Sequence, residues 1–234
     1  MAEKRWASTK DFIDISRTIA DQTGIPISFE GKYRWIVFLP SITNRAIPVL
    51  NRYYGVFEDG EVKIGEIEAR KRDTPEFIRR AQLDMIDALA QARNSKEFLE
   101  RIPRAINVLK KYALALVERK VPLEQLLITK QISFDPSEYM HDVYQAIAAK
   151  QLLAAGVDIS AGQVIRYLIT DAENRRANRR VRAAELIDRN TNYDVKKYLE
   201  LLFGAAANML SPFGYTAENI RDFVLYGEKQ AILD

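Results

Sequence analysis

Cysteine is absent from all 234 residues, and histidine occurs only once, as His141. Without cysteine the chain has no disulfide, thiolate zinc site or cysteine nucleophile, which fits the reducing cytoplasm. A single histidine also excludes a multi-histidine metal site. Asp142 follows His141, but neighbours on a helix point about 100° apart, so these two residues do not form a catalytic pair.

Long apolar runs and glycine-rich phosphate loops are missing too. No stretch reaches the roughly 18 apolar residues that a membrane span needs, and residues 1–10 lack the apolar core of a signal peptide. We therefore expect no membrane partner. No glycine-rich loop precedes a predicted helix, which argues against the known phosphate cradles. Glu66 and Glu68 share one face of a predicted strand, but isolated acidic pairs on a hairpin are usually solvated.

The secondary-structure patterns change near residue 74. Strand patterns predominate before this point and helical patterns after it, which predicts an α+β fold with units at residues 1–73 and 74–234. Residues 33–39 are apolar on both faces, which favours a buried central strand with a neighbour on each side. A hairpin with strands over residues 50–57 and 61–69 is predicted around the turn Glu58-Asp59-Gly60.

The second unit is predicted to be mostly helical. Apolar periodicity and breaking residues indicate helices over residues 75–93, 95–119, 138–155 and 193–210. Pro103 falls inside the second of these helices and is expected to kink or split it. Residues 163–170 have a strand pattern, and the polar residues 171–182 are predicted to form a loop.

Aromatic residues alternate with polar residues on the predicted strands. These rings are Tyr33, Trp35, Tyr53, Tyr54 and Tyr167. Alternation of this kind is typical of a sheet with one covered face, so the favoured role of most of these rings is in the core. Tyr54 lies two positions after Arg52, and this pair is expected to be exposed to a ligand.

The formal net charge is only +3, so a basic surface has to be local to matter. Arg70-Lys71-Arg72 form one cluster, and five arginines occupy the eight positions 175–182. Such density repels itself unless a polyanion is near, and the guanidinium fork suits phosphate. For Arg79 and Arg80, a solvated helix face is as good an explanation as a binding surface. These residues predict a mixed fold with a local basic surface that binds nucleic acid.

Several short segments carry a more specific signal through their order and spacing. They are Phe29-Glu30-Gly31-Lys32-Tyr33, Asn51-Arg52-Tyr53-Tyr54-Gly55, Arg70-Lys71-Arg72-Asp73, Leu127-Ile128-Thr129-Lys130-Gln131-Ile132-Ser133, Gly162-Gln163-Val164-Ile165-Arg166-Tyr167, Asn192-Tyr193-Asp194-Val195-Lys196-Lys197-Tyr198 and Phe213-Gly214-Tyr215. Together they resemble the carboxy-terminal part of archaeal-type family B DNA polymerases. The family's paired lysines at the second segment are replaced here by Asn51 and Arg52.

The resemblance implies that residues 1–73 form the last part of a palm domain and residues 74–234 a thumb domain that grips duplex DNA. Contacts in such a thumb are mostly to phosphate and sugar, because a polymerase must hold any sequence. The resemblance assigns DNA contacts to Arg52, Tyr54, Arg70, Arg72, Lys130, Gln131, Ser133, Arg179 and Arg180.

The motifs that carry the family's catalytic carboxylates are missing from this chain. Phosphoryl transfer needs such carboxylates to hold two magnesium ions. We therefore predict no catalytic residue, metal or cofactor on this chain, and no polymerase activity by this chain alone. The expected partners are primer–template DNA and a large catalytic polymerase chain that binds magnesium, so that the chain is the small subunit of a split polymerase.

Two other interpretations stay open. The chain could be a fragment of a single-chain family B polymerase, or a non-catalytic DNA-binding or assembly subunit. Gln230 and Leu233 have the spacing that opens a sliding-clamp binding peptide. The aromatic pair that would complete such a peptide is absent, so a chance match is slightly favoured over clamp binding.

Overall fold

The structure, a computed structural model, describes residues 7–41 and 47–227. The predicted α+β fold is confirmed, and it contains two antiparallel three-stranded sheets. The first sheet contains β1 (Tyr33–Pro40), β2 (Pro48–Phe57) and β3 (Val62–Ile64), and the second contains β4 (Ile128–Gln131), β5 (Val164–Ile169) and β6 (Val181–Ala183). The helices are α1 (Thr9–Thr23), α2 (Glu76–Ala90), α3 (Ser95–Val117), α4 (Tyr144–Ala154), α5 (Val195–Leu210) and α6 (Ala217–Tyr226).

Strand β1 pairs only with β2 within the described chain, so the prediction of a neighbour on each side is not met there. The register places Val37 opposite Tyr54 and Phe38 opposite Tyr53. Because side chains alternate between faces, Tyr53 and Tyr54 point to opposite sides of the sheet. Tyr54 faces the helices, while Tyr53 lies on the outer face.

The predicted hairpin between β2 and β3 is confirmed. Gly60 adopts φ 95° at its turn, a left-handed conformation that glycine adopts without strain. The return strand is shorter than predicted because the chain turns inward at Gly65. A Cβ added at Gly65 would lie 2.4 Å from the Asn51 carbonyl oxygen, so only glycine fits this close approach.

Helix α3 passes through Pro103 without splitting. Proline cannot donate a hydrogen bond to the carbonyl one turn earlier, that of Leu99. Leu99 and Pro103 are both exposed, so water can replace the missing donor. Helix α4 begins at Tyr144 rather than at residue 138. The preceding residues form turns instead, in which Glu138 caps the Asp135 backbone N–H (3.2 Å) and Tyr139 Oη accepts from the Ser133 N–H (3.0 Å).

The predicted loop over residues 171–182 contains structure that the sequence pattern did not indicate. Ala177–Arg179 form a single 3-10 turn, and Val181 begins the short strand β6. Val181 and Ala183 are buried on either side of Arg182, and they pair with Ile169 and Tyr167 of β5. Three residues are too few to produce a recognisable alternation, so the strand depends on this pairing.

A single hydrophobic core joins the two sheets and the helices of the described chain. Trp35 and Tyr54 from the first sheet meet edge to face at 6.0 Å, and Trp35 packs on Phe98 of α3 at 4.8 Å. Buried Gln82 adds polar links, because it accepts from the Ala69 N–H and donates to the Ala205 carbonyl. The division at residues 73 and 74 stays a prediction, and the core is continuous across it.

The burial of Tyr54 gives a stability prediction. Its side chain is 0% exposed, its hydroxyl donates to the Met209 carbonyl at 3.1 Å, and burial raises the pKa of the phenol. We expect Tyr54→Phe to lower the free energy of unfolding by about 1 kcal/mol, because the Met209 carbonyl loses its donor. Urea denaturation measures this change. Unchanged stability with weakened DNA binding would contradict the buried position.

Candidate nucleic-acid interface

The most basic part of the chain, which we call the arginine segment, comprises residues 175–182 between β5 and the end of β6. Its backbone is held at several points by neighbouring elements. Gln151 of α4 donates to the carbonyls of Asn178 and Val181, each at 2.8 Å. Thr170 donates from its hydroxyl to the Arg179 carbonyl at 2.7 Å. The arginines are therefore displayed on a fixed backbone.

None of the five arginines in the arginine segment forms an ion pair with an acidic residue of the described chain. Arg180 donates from Nε to the Asn174 carbonyl, and Arg182 donates from Nε to the Leu186 carbonyl, each at 2.8 Å. Arg175, Arg176 and Arg179 are exposed. Five guanidinium groups in one segment without carboxylate partners produce a strong local positive potential.

The two acidic residues that precede the segment most closely are engaged elsewhere. Asp171 accepts from the Asn174 side chain at 2.7 Å, and Glu173 pairs with Lys196 at 2.6 Å. Asp188 accepts from the Thr191 hydroxyl, a hydrogen bond that lowers the pKa of its carboxyl group. Asp188 also lines a shallow depression of 620 Å³ together with Arg179 and Arg182. The positive charge of the segment is thus only partly offset by its surroundings.

A second basic region, which we call the passage cluster, comprises Arg70, Arg72, Lys130, Gln131 and Ser133. Arg70 and Arg72 are exposed, and Arg70 donates to the Ile64 carbonyl at 3.1 Å. Lys130 pairs with Asp73 at 2.5 Å, which ties the passage between β3 and α2 to β4. The charge of Lys130 is therefore matched by the Asp73 carboxylate within the chain itself. Gln131 and Ser133 are exposed at the end of β4.

The second sheet connects the β4 part of the passage cluster with the arginine segment. Gln131 pairs with Val164 at the start of β5, while Val181 pairs with Ile169 at its end. Strands lie about 4.8 Å apart and rise about 3.3 Å per residue, so these two corners of the sheet are about 20 Å apart. Duplex DNA carries about one negative charge per 1.7 Å of its axis, so a single duplex is long enough to contact both corners.

The expected exposure of Arg52 and Tyr54 is wrong. Tyr54 lies in the core, as described above, because its face of the sheet is the one that the helices cover. Arg52 is only 9% exposed, and its Nη1 donates to the Pro40 carbonyl at 2.5 Å. It lies at the edge of a pocket of 250 Å³ between β2, α5 and the start of α6. Neither side chain presents its polar group on an open surface.

Several residues that position or extend the basic regions were not predicted from the sequence. Gln151 and Thr170 fix the arginine segment, and Arg166 is exposed on β5 opposite Thr129 of β4. Gln151 is one of three polar side chains in a mostly apolar helix, with Gln145 and Lys150, and no sequence pattern distinguishes it from these two. Arg166 occupies the polar position of an alternating strand pattern and could have been included on that basis.

The described residues bring together no group of three or more acidic or histidine side chains that could hold a metal ion. They therefore do not fit the pair of magnesium ions that phosphoryl transfer uses. None of the helices in the described ranges has the length and apolar character that a membrane crossing requires. Gln230 and Leu233, considered above for clamp binding, lie outside the described residues.

The family of the chain follows from comparison with known proteins. The model of DNA polymerase family B matches residues 51–213, which include most of β2, both basic regions and four of the six helices described above. The chain therefore belongs to DNA polymerase family B.

The DNA polymerase of Pyrococcus horikoshii is 26% identical over 227 residues, covering 90% of this chain and 18% of that protein. The DNA polymerase of Thermococcus gorgonarius is 26% identical over 223 residues, covering 94% of this chain and 26% of that protein.

A solved structure shares the fold. The family B DNA polymerase from the hyperthermophilic archaeon Pyrobaculum calidifontis matches with a TM-score of 0.62 at 20% identity. The match covers 91% of this chain and 26% of that chain. Among the curated relatives the chain spans between 9% and 26% of their length. Most of the polymerase fold therefore has no counterpart in these 234 residues.

The Asp73–Lys130 pair predicts a pH dependence of stability. The hydrogen bond from Lys130 lowers the pKa of the Asp73 carboxyl from its ordinary value of 3.8. The pair therefore stabilises the fold above about pH 4, and this contribution is lost as the pH falls through the lowered pKa. Because both side chains are partly exposed, we expect Asp73→Asn to cost less than about 1 kcal/mol at pH 7.

Chemical denaturation of the wild type and Asp73→Asn between pH 7 and pH 2 measures this effect. The difference in unfolding free energy should shrink on acidification. A difference that is constant across the range would mean that the pair does not link protonation to stability.

Proposed function

We propose that the chain is the carboxy-terminal palm and thumb part of a family B DNA polymerase, and that it holds the primer–template duplex while a separate catalytic chain carries out synthesis. In this proposal residues 1–73 complete the palm and residues 74–234 form the thumb. The observation that carries the proposal is the arginine segment, in which five guanidinium groups lack acidic partners and the backbone is fixed by Gln151 and Thr170.

Electrostatics favour DNA as the ligand of the arginine segment. Each phosphate neutralised by an arginine releases condensed counterions. The resulting gain in binding free energy does not depend on base sequence. Contacts to phosphate and sugar fix the position of a duplex without reading its bases, which suits a polymerase. Arg179 is exposed, while Arg180 is partly restrained by its hydrogen bond to the Asn174 carbonyl.

The passage cluster would supply the second contact. Arg70 and Arg72 are exposed without an acidic partner in the described chain, and Gln131 and Ser133 add neutral donors nearby. Lys130 would exchange its pairing with Asp73 for a phosphate. Arg52 would need to leave the Pro40 carbonyl before it could reach DNA, and Tyr54 is left out of the proposed interface.

The proposed catalytic chain would supply what this chain lacks. The sequence has no carboxylate motif of the kind that holds magnesium in this family, and the described residues offer no acidic cluster that could replace one. The partner would therefore carry the magnesium ions and the reacting groups. This chain would supply binding energy and would keep the duplex aligned behind the primer end.

Removal of two free arginines tests the grip on DNA. We expect Arg176→Ala with Arg179→Ala to weaken binding to a primer–template duplex and to reduce the slope of log affinity against log salt by up to about two units. Fluorescence anisotropy from low to moderate salt concentration measures both quantities.

A matched control separates a specific contact from a loss of net charge. Arg80→Ala with Arg221→Ala removes the same two charges, but these arginines are paired with Glu76 and Asp222. The control should retain most of the affinity and the slope. If the two double variants weakened binding equally, the effect would be explained by the loss of net charge alone. An unchanged salt slope in Arg176→Ala with Arg179→Ala would exclude the arginine segment from the interface.

A further inference from the structure

Exposed apolar side chains are concentrated near the amino-terminal end of the described chain. Eight of the nineteen large apolar side chains that are exposed lie between residues 13 and 50. Single exposed apolar residues are common on protein surfaces, but a cluster of them marks a contact site. This cluster is separate from the arginine segment and the passage cluster, so DNA binding does not account for it.

Helix α1 contributes three of these eight side chains, those of Ile13, Ile15 and Ile19. No residue of this 15-residue helix is buried, although Ile15 and Ile19 lie one turn apart on one face. Ile15 is 55% exposed, and the principal support for that face is the stacking of Phe12 on Phe29 at 5.2 Å. Isolated helices of this length are marginal in water, and an amphipathic helix depends on a partner for its apolar face.

Strand β1 has an edge that no other strand of the described chain pairs with. It is eight residues long, and its edge away from β2 is unpaired within the described chain. The opposite edge of the same sheet is β3, which has only three residues. A long, apolar edge strand presents a row of backbone donors and acceptors that another strand can pair with. Phe38 of β1 is also 40% exposed, so the edge has an apolar border.

We infer that α1 and the free edge of β1 form one docking surface for a second polypeptide, the catalytic chain of the function proposed above, on which this inference rests. A strand of that chain would extend the sheet beyond β1, and its apolar side chains would cover Ile15 and Ile19. The two contacts adjoin, because residues 24–32 connect α1 directly to β1 and Phe29 in this connection stacks on α1.

The chemistry of the surface favours a protein partner over DNA. An unpaired strand edge is satisfied by another strand, which is a recurrent mode of protein recognition. Helix α1 carries two basic and three acidic residues, so it offers no attraction to a polyanion. In addition, the solved family B polymerase is matched over only 26% of its length, so most of that fold lies outside these 234 residues.

Substitution of the exposed isoleucines tests the surface directly. The binding assay uses the family B chain of the same organism that carries the metal-binding carboxylates. We expect Ile15→Asp with Ile19→Asp to weaken its association with this chain by about a hundredfold or more, because apolar anchors dominate such interfaces. The control Lys10→Gln with Arg17→Gln also lowers the charge of α1 by two, on its exposed polar face, and should bind like the wild type.

The isoleucine variant should fold normally, since α1 buries no residue, and its thermal midpoint should match that of the wild type. It should also keep the duplex affinity and salt slope of the wild type, so a failure of docking is distinguishable from a failure of DNA binding. Hydrogen exchange provides an independent measurement, because backbone amides of residues 33–40 should become protected in the complex.

Three results would overturn the inference. The first is normal association of the isoleucine variant. The second is the absence of any complex between the wild-type chain and the catalytic chain. The third is concentration-dependent self-association that the isoleucine substitutions abolish, which would make a second copy of this chain the occupant.

Discussion

Packing of the first sheet against the helices joins the two predicted units of the chain into one core. Trp35 and Tyr54 project from β1 and β2 into the helices, where Phe98 of α3 contacts both rings. Phe213, just after α5, packs on the other side of Phe98 at 5.0 Å. Because aromatic side chains bury large areas in specific orientations, this cluster holds the sheet and helices in one arrangement. Residues predicted to belong to two units therefore share one core.

The same packing shows how far the sequence could predict the structure. Apolar patterns predicted β1, the hairpin and the long helices, because each of these features follows from local periodicity or turn chemistry. Alternation indicated that Tyr53 and Tyr54 point to opposite faces, but it could not indicate which face the helices cover. The burial of Tyr54 depends on Phe98 and Met209, which are distant in sequence. Strand β6 was missed because three residues carry no usable period.

The candidate functional surface was also only partly predictable from the sequence. The density of arginine in residues 175–182 was visible in the sequence, and the pairing of charges was not. Some cations of the described chain pair with a carboxylate, as Lys196 pairs with Glu173 and Lys130 with Asp73. The arginine segment differs from these residues because its five arginines form no ion pair within the described chain. The free edge of β1 and the uncovered face of α1 are likewise features that the sequence pattern did not indicate.

The central claim is that this chain supplies duplex binding and that a second chain supplies catalysis. Primer extension on a primer–template duplex tests it most directly, with this chain alone, the carboxylate-bearing family B chain alone, and both together. The account predicts no extension by this chain alone, and extension by the mixture that far exceeds that by the catalytic chain alone. Extension by this chain alone, or equal extension by the catalytic chain with and without it, would contradict the account.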